Sequence, residues 1–302
     1  MKRSGRAAVE KMRAEGDQPP DWDDLDELEE AVDGWHSLFL ERRGSEAEER
    51  CILEDICHRL DTVIRTNVPE FIDLDTHPEE EKLREIEAVS GITRSIGGYD
   101  LFCDVLEPHV ERALERQGQK GQKGQKGHVD ILEVASGYGD MAFELAERFE
   151  GREVEITGSD IEEAYVREAN ASAEKRGLDV SFGKVDALDL FSNEESYDVV
   201  FIAQSLHHFS PGQLARVIAG GSEVGEVFVA IDGKRTLAAP LLMATFTLPY
   251  MNPYLVHDGL VSGRKMYSEV ELESIARIAA PDSCISTRWE YPGYSVLTVG
   301  KD

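Results

Sequence analysis

The spacing of apolar residues divides the chain into two regimes. In the first third, Leu25, Leu28, Val32, Trp35 and Leu38 recur at helical intervals within an acidic segment. A second helix is predicted over 46–65, carrying Ile52, Leu53, Ile56, Leu60 and Val63, a third over 78–92 and a fourth over 99–116. No strand-like alternation interrupts them, so residues 21–116 read as a helical N-terminal region. Residues 1–20 lack that period and read as a disordered tail. Three Gly-Gln-Lys triplets end at Gly127, and 117–127 reads as a flexible linker.

Beyond the linker, short apolar runs alternate with amphipathic helices. Strands are predicted at 129–134, 153–159, 179–184, 198–203 and 225–231, and helices near 139–149, 162–176 and 211–219. This alternation implies an α/β domain over 128–302, its parallel sheet covered by helices on both faces. A proline- and aromatic-rich insertion, 234–267, interrupts it. Ser268 and Glu271 then form a capping box that opens a helix ending near Ala280. Two last strands, 284–290 and 294–299, meet at Pro292-Gly293, a hairpin signal that brings the strand count to seven.

With 41% hydrophobic residues the 302-residue chain can bury a sizeable core. Sixty acidic against 32 basic residues give a net charge of -28, which disfavours nucleic-acid backbones and anionic membrane surfaces. The acids are spread along the chain, so the excess also reads as a solubilising surface. Cys51, Cys57, Cys103 and Cys284 form no C-x-x-C pair and read as free thiols of a reducing compartment. The N-terminus lacks the apolar stretch of a signal peptide. Leu237–Met251 holds two prolines and is short for a bilayer span. The expectation is a cytoplasmic protein without stable membrane insertion.

Candidate chemistry begins with VDILEVASGYGDMAFELAE, Val129 to Glu147, which passes from an apolar strand through glycines into a helix. Gly137-x-Gly139-x-x-Ala142 satisfies the loose dinucleotide fingerprint, and Asp160 ends the next strand, where a ribose-binding acid belongs. Two carboxylates argue against a phosphate ligand. Asp140 falls in the first helical turn, where a pyrophosphate would meet free N–H groups, and is expected to satisfy those amides itself. Glu133 adds a second negative charge beside the loop. A cofactor without phosphate but with positive charge suits this site better, and S-adenosyl-L-methionine (SAM) carries a sulfonium and an ammonium. Asp160 is placed for both ribose hydroxyls and Asp186 for the adenine amino group. Ala135 keeps the space beside the loop small.

The segments ILEVASGYG, TGSD, KVDAL and YDVVFIAQSLHHF resemble the successive motifs of class I SAM-dependent methyltransferases. SLHHF and HDGLVSGRKMYSEVEL are similar to the ubiquinone-biosynthesis-like subgroup. The resemblance covers roughly residues 67–302. It implies a Rossmann-like, seven-stranded, mostly parallel sheet with an antiparallel last strand. It further implies SAM held by Glu133, Ala135, Ser136, Gly137, Gly139, Asp160, Ile161, Asp186, Ala187 and Gln204, with Tyr99 near the methionine tail. Ala135 and Ser136 stand where many members have Gly and Cys, a mild departure.

Methyl transfer needs an aligned nucleophile and, where that nucleophile is protonated, a base. His207 and His208 follow the fourth strand and are the candidate bases for a phenol or an activated ring carbon. In the insertion, Phe246, Tyr250, Tyr254, His257 and Arg264 are candidates for holding a small hydrophobic acceptor, aromatic or polyketide/quinone-like. No metal is expected: there is no HExxH and no clustered Cys/His set. Two alternatives stay open, a non-catalytic SAM-fold binding protein and an NAD-dependent oxidoreductase. The latter lacks a Tyr-x-x-x-Lys pair. The N-terminal helices either cap the pocket or mediate a homodimer.

Overall fold

A single seven-stranded sheet organises the computed structural model, which describes residues 2–17, 21–120, 128–192 and 195–301. The strands are β1 (Val129–Val134), β2 (Val154–Asp160), β3 (Val180–Lys184), β4 (Tyr197–Ala203), β5 (Gly225–Gly233), β6 (Cys284–Glu290) and β7 (Tyr294–Gly300). Their order is β3-β2-β1-β4-β5-β7-β6. The first five run parallel, and β7 is antiparallel to both neighbours, as expected. From β1 the sheet grows one way through β2 and β3 and the other way through β4 and β5. That reversal opens a crevice beyond the carboxyl ends of β1 and β4, where open α/β sheets bind ligands.

Helices cover both faces, which is why a central strand such as YDVVFIA is apolar almost throughout. They are α1 (Lys2–Glu15), α2 (Leu25–Arg50), α3 (Ile52–Ile64), α4 (Glu79–Ser95), α5 (Gly98–Lys120), α6 (Asp140–Arg148), α7 (Glu163–Arg176), α8 (Pro211–Val224), α9 (Ala239–Thr247), α10 (Pro253–Lys265) and α11 (Glu269–Ala279). One core joins α1, α2, α8 and α11 to the sheet. The other joins α5, α6 and α7 to its opposite face.

Three expectations need correcting. The supposed disordered tail contains α1, whose Ala8 and Met12 are buried in the same core as Phe39 and Val270. The N-terminal region is not a separate unit: Phe102, Leu106 and Val110 of α5 pack with Ile131 of β1 and Met141 of α6. Helix α5 also continues through Lys120 into the predicted linker, whose remaining residues, 121–127, lie outside the described residues. Finally, the helix predicted over 46–65 breaks at Cys51, whose backbone is extended and whose Sγ accepts the Glu54 N–H to start α3.

The stripe that predicted α3, Ile52, Leu53, Ile56, Leu60 and Val63, faces solvent. Its polar side turns inward because Asp61 is tied into a buried ionic seam. Asp61 accepts from Arg43 at 2.6 Å, Arg235 at 2.7 Å and Arg65 at 3.3 Å. Glu271 accepts from Arg65 at 2.6 Å and pairs with His36 at 3.0 Å. The other oxygen of Glu271 completes the predicted capping box with the Ser268 N–H at 2.9 Å. Among the described residues, no helix is long and apolar enough to cross a membrane.

Two outcomes follow. Removal of residues 1–66 strips Met12, Leu28, Val32 and Phe39 from the core and Arg43, Asp61 and Arg65 from the seam. The shortened chain is expected to lose its cooperative unfolding transition in circular dichroism. Burial alone would raise the pKa values of Asp61 and Glu271, but the neighbouring arginines, joined at Glu271 by His36, hold both below the ordinary carboxylate value. Their contribution to stability is therefore complete above that ordinary value and lost as pH falls through the depressed one. The denaturant midpoint of the intact chain should drop below about pH 4, and Asp61→Asn should flatten the drop.

Candidate active site

The loop after β1 is shaped by positive φ at Ala135 (54°), Gly137 (55°) and Gly139 (82°). Ser136 N–H donates to Ser159 O at 2.8 Å, and Gly139 N–H donates to Ser136 O at 2.9 Å, closing the turn that starts α6. A Cβ on Gly139 would lie 2.3 Å from the Phe182 ring, so only glycine allows this approach. A Cβ on Gly137 would meet open space, the cradle that an approaching ligand needs. Asp160, at the end of β2, accepts the Gly137 N–H at 2.9 Å and the Glu162 N–H at 3.0 Å. Its carboxylate is thus aimed at the glycine loop with lone pairs left on both oxygens.

The two acids beside the loop differ from expectation. Asp140 does not satisfy the amides of its own helix. It accepts instead from Ser90 Oγ at 2.7 Å and lies 3.5 Å from the Arg94 guanidinium, both on α4. Glu133 lies near the Ala142 amide of the same helix, which favours its charged form. Glu133 is buried, and burial raises its pKa well above the ordinary value, with Asp140 and Asp160 adding to the rise. Among the described residues, its Oε2 and the hydroxyl of Ser136 are buried without a hydrogen-bond partner. The donor set fits a ligand with ammonium and sulfonium charge and is poorly suited to a phosphate.

Helix α4 crosses from this loop to the end of β4. Ser90 and Arg94 hold the loop side, while Thr93 Oγ1 lies 3.1–3.2 Å from the Gln204 amide group. Gln204 itself has a positive φ, and its N–H donates to Ile231 O. Tyr99 is buried beside the same cluster, bonded to Ser90, and burial and Asp140 raise its hydroxyl pKa. The remaining expected cofactor residues line the other rim. Ile161 is exposed, Ala187 is buried, and Asp186 is exposed and accepts the Leu188 N–H at 2.9 Å. Tyr138 in the loop stacks at 4.8 Å on Tyr165 of α7, a pair that no spacing rule in the sequence connects.

On the acceptor side, His207 is buried and doubly held by Asp232 at the end of β5. One Asp232 oxygen lies 2.8 Å from His207 Nδ1 and accepts the His207 N–H at 2.9 Å. His207 Nε2 faces Glu70, 4.0 Å away. Burial by itself would lower the imidazole pKa, but the charge and hydrogen bond of Asp232, joined by Glu70, raise it to about 9. His208 stacks on His207 at 4.4 Å and pairs with Asp73 at 2.9 Å. Glu70 is held by Ser262 at 2.6 Å and by Lys265 at 3.3 Å. One ligand atom each from Glu70, His207 and His208 lie within 4.8 Å of one another, a grouping that the sequence did not disclose. The Lys265 ammonium supplies a cation to the Glu70 side of this corner.

The insertion residues divide. Tyr254 and His257 pack on Phe71, at 4.9 and 4.6 Å, and Tyr254 also meets His77 at 4.9 Å. Asp258 accepts the Phe71 and Ile72 N–H groups and so fastens this turn to α10. Phe246 and Tyr250 are exposed rather than enclosed. Arg264 donates through Nε to Ile64 O at 2.7 Å and so links α10 to the end of α3. Asp232, Glu70 and Asp73 lie within no motif, and Lys265, although inside HDGLVSGRKMYSEVEL, has no spacing that ties it to the histidines. Only the acid ending β5, in the position that Asp160 takes on β2, offered a signal.

Calorimetric titration tests the loop. SAM and S-adenosylhomocysteine (SAH) are expected to bind and NAD is not. Asp160→Ala should weaken SAM binding on the order of 100-fold, consistent with losing hydrogen bonds to a charged group.

Residues 131–224 match the family described as "Methyltransferase domain". The chain is 37% identical over 171 residues to a demethylmenaquinone methyltransferase of Thermus thermophilus, covering 55% of this chain and 74% of that protein. It is 33% identical over 134 residues to the enzyme of the same description from Deinococcus radiodurans, covering 44% of this chain and 54% of the relative, about half its length. Among solved structures, the plantazolicin methyltransferase BpumL in complex with SAH shares the fold, with a TM-score of 0.54 at 11% identity over 83% of this chain and all of that one. Kinship at this level to a protein covered over most of its length is kinship of family. The chain belongs to the class I SAM-dependent methyltransferases, in the ubiquinone-biosynthesis-like subgroup, and its cofactor is SAM.

Proposed function

We propose that the acceptor is a small hydroxylated aromatic of the quinone type and that His207 is the base that activates it. The observation that carries this reading is the Asp232–His207 pair beyond the ends of β4 and β5. Asp232 accepts from Nδ1, which fixes the tautomer that leaves Nε2 as the proton acceptor. The relatives' names, both of a demethylmenaquinone methyltransferase, support the acceptor class.

When bound, SAM supplies a methyl carbon activated by its sulfonium. The chain's residues do the rest. Glu133 and Ser136 offer unfilled polar atoms to the charged tail, and Asp160 offers its free lone pairs to the ribose hydroxyls. His207 takes the proton of the acceptor hydroxyl at Nε2. An imidazole with a pKa of about 9 is well matched to a phenol, whose pKa is near 10, so the transfer is close to balanced. Glu70 and Asp232 stabilise the imidazolium that forms. The same deprotonation serves transfer to the oxygen or to a ring carbon that the oxyanion activates. Phe71, His77, Tyr254 and His257 form the aromatic wall on this side. Gln204, held by Thr93, is placed to orient either partner.

The pH profile tests the reading. Because His207 must be neutral to accept a proton, kcat/KM with a quinol acceptor is expected to rise with pH, reach half its maximum near 9 and level off above that. Asp232→Asn removes the charge that raises the pKa and leaves burial, which lowers it. The profile should therefore shift to lower pH while the maximal rate falls. His207→Ala should cost about 10²–10⁴ in kcat with SAM affinity unchanged. A flat profile, or full activity in His207→Ala, would remove His207 from this role.

A further inference from the structure

From Thr236 to Val256 the chain contains no Asp, Glu, Lys, Arg or His, although 60 of its 302 residues are acidic. This stretch forms α9 and the turn after it, and although Ala239 and Leu255 are buried, most of its large apolar side chains stay out of the core. Leu241 is 70% exposed, Leu242 49%, Phe246 43%, Leu248 63%, Tyr250 45% and Met251 89%. Helix α9 is anchored from beneath by small residues instead. A Cβ on Gly263 of α10 would lie 2.7 Å from Pro240, and one on Gly259 would lie 3.0 Å from Thr247. Six large apolar groups thus stand outside a helix whose inner contacts are already complete. Large apolar side chains exposed together along a stretch without charge mark an interaction surface rather than ordinary scatter.

The strip also borders the acceptor side of the site. A Cβ on Gly91 of α4 would lie 3.1 Å from the Tyr250 hydroxyl. Helix α10, against which α9 packs, carries Tyr254 and His257 onto Phe71 and Lys265 onto Glu70.

Charge selects the occupant. A second copy would bring together two chains of net charge -28, and charge of that size keeps proteins apart. An anionic surface is repelled for the same reason. A zwitterionic lipid surface brings no net charge and accepts apolar side chains, with the amphipathic Tyr250 ring suited to the boundary. We infer that the α9 face docks on an uncharged lipid surface. The docking rests on this surface alone; its use, passing a lipid-dissolved acceptor to the site beneath, rests on the function proposed above.

The test is co-sedimentation of the intact chain with phosphatidylcholine vesicles, with and without phosphatidylglycerol, compared with the double variant Leu248→Glu/Met251→Glu. Both positions are well exposed, so the variant should fold and keep its SAM affinity by calorimetry. The intact chain is expected to sediment with phosphatidylcholine and less with phosphatidylglycerol present. The variant should partition on the order of tenfold less. An intact chain that stays in the supernatant overturns the inference. So does a dimer in analytical ultracentrifugation that the double variant dissociates. Vesicle binding is read without any acceptor, so its failure leaves the site chemistry standing, and a wrong acceptor class leaves vesicle binding standing.

Discussion

The buried carboxylates Asp61 and Glu271 set the constraint from which the rest of the arrangement follows. Each is removed from water, and a buried charge is costly unless its partners are all in place. The partners come from far apart: Arg43 and His36 on α2, Arg65 just after α3, Arg235 after β5. Arg235 also donates to Arg264 O and Met266 O, which ties the end of α10 to the same point. One seam therefore fixes the N-terminal helices against the insertion and α11. It explains why α3 turns its apolar stripe outward. The segment that leaves α3 is delivered to the mouth of the sheet, with Glu70 and Asp73 opposite His207 and His208.

The site that results has two halves with opposite electrostatic needs. On the cofactor side, Glu133, Asp140 and Asp160 gather around a glycine loop, and burial together with the two neighbouring acids raises the pKa of Glu133. On the acceptor side, Asp232 and Glu70 surround an imidazole and raise its basicity. Helix α4 joins them through Ser90 on Asp140 and Thr93 against Gln204. Because α4 touches both loops, a change in one half can be felt in the other through a few hydrogen bonds.

Asp140 shows where reading by residue type succeeds and where it goes astray. Its presence in the first turn of α6 rightly argued against a phosphate ligand, since the charge is there whatever the side chain bonds. Its expected partners were the helix amides, yet it bonds Ser90, fifty residues away. His207 is similar. Its position after β4 marked it as a base candidate, but its basicity belongs to Asp232, on the next strand.

By itself the sequence determined the strands, most helix limits, the glycine loop and the cofactor class. Each depends on period, turn chemistry or charge among residues close in the chain. The seven-stranded, mostly parallel sheet with its antiparallel last strand was legible too, through the resemblance carried by the motifs. Only the tertiary structure decided that residues 2–15 belong to the core, that α3 faces outward, and that Glu70, Asp232 and Lys265 surround the histidines. Those outcomes turn on which distant charges can be buried together. That is a property of packing between segments, and no local pattern records it.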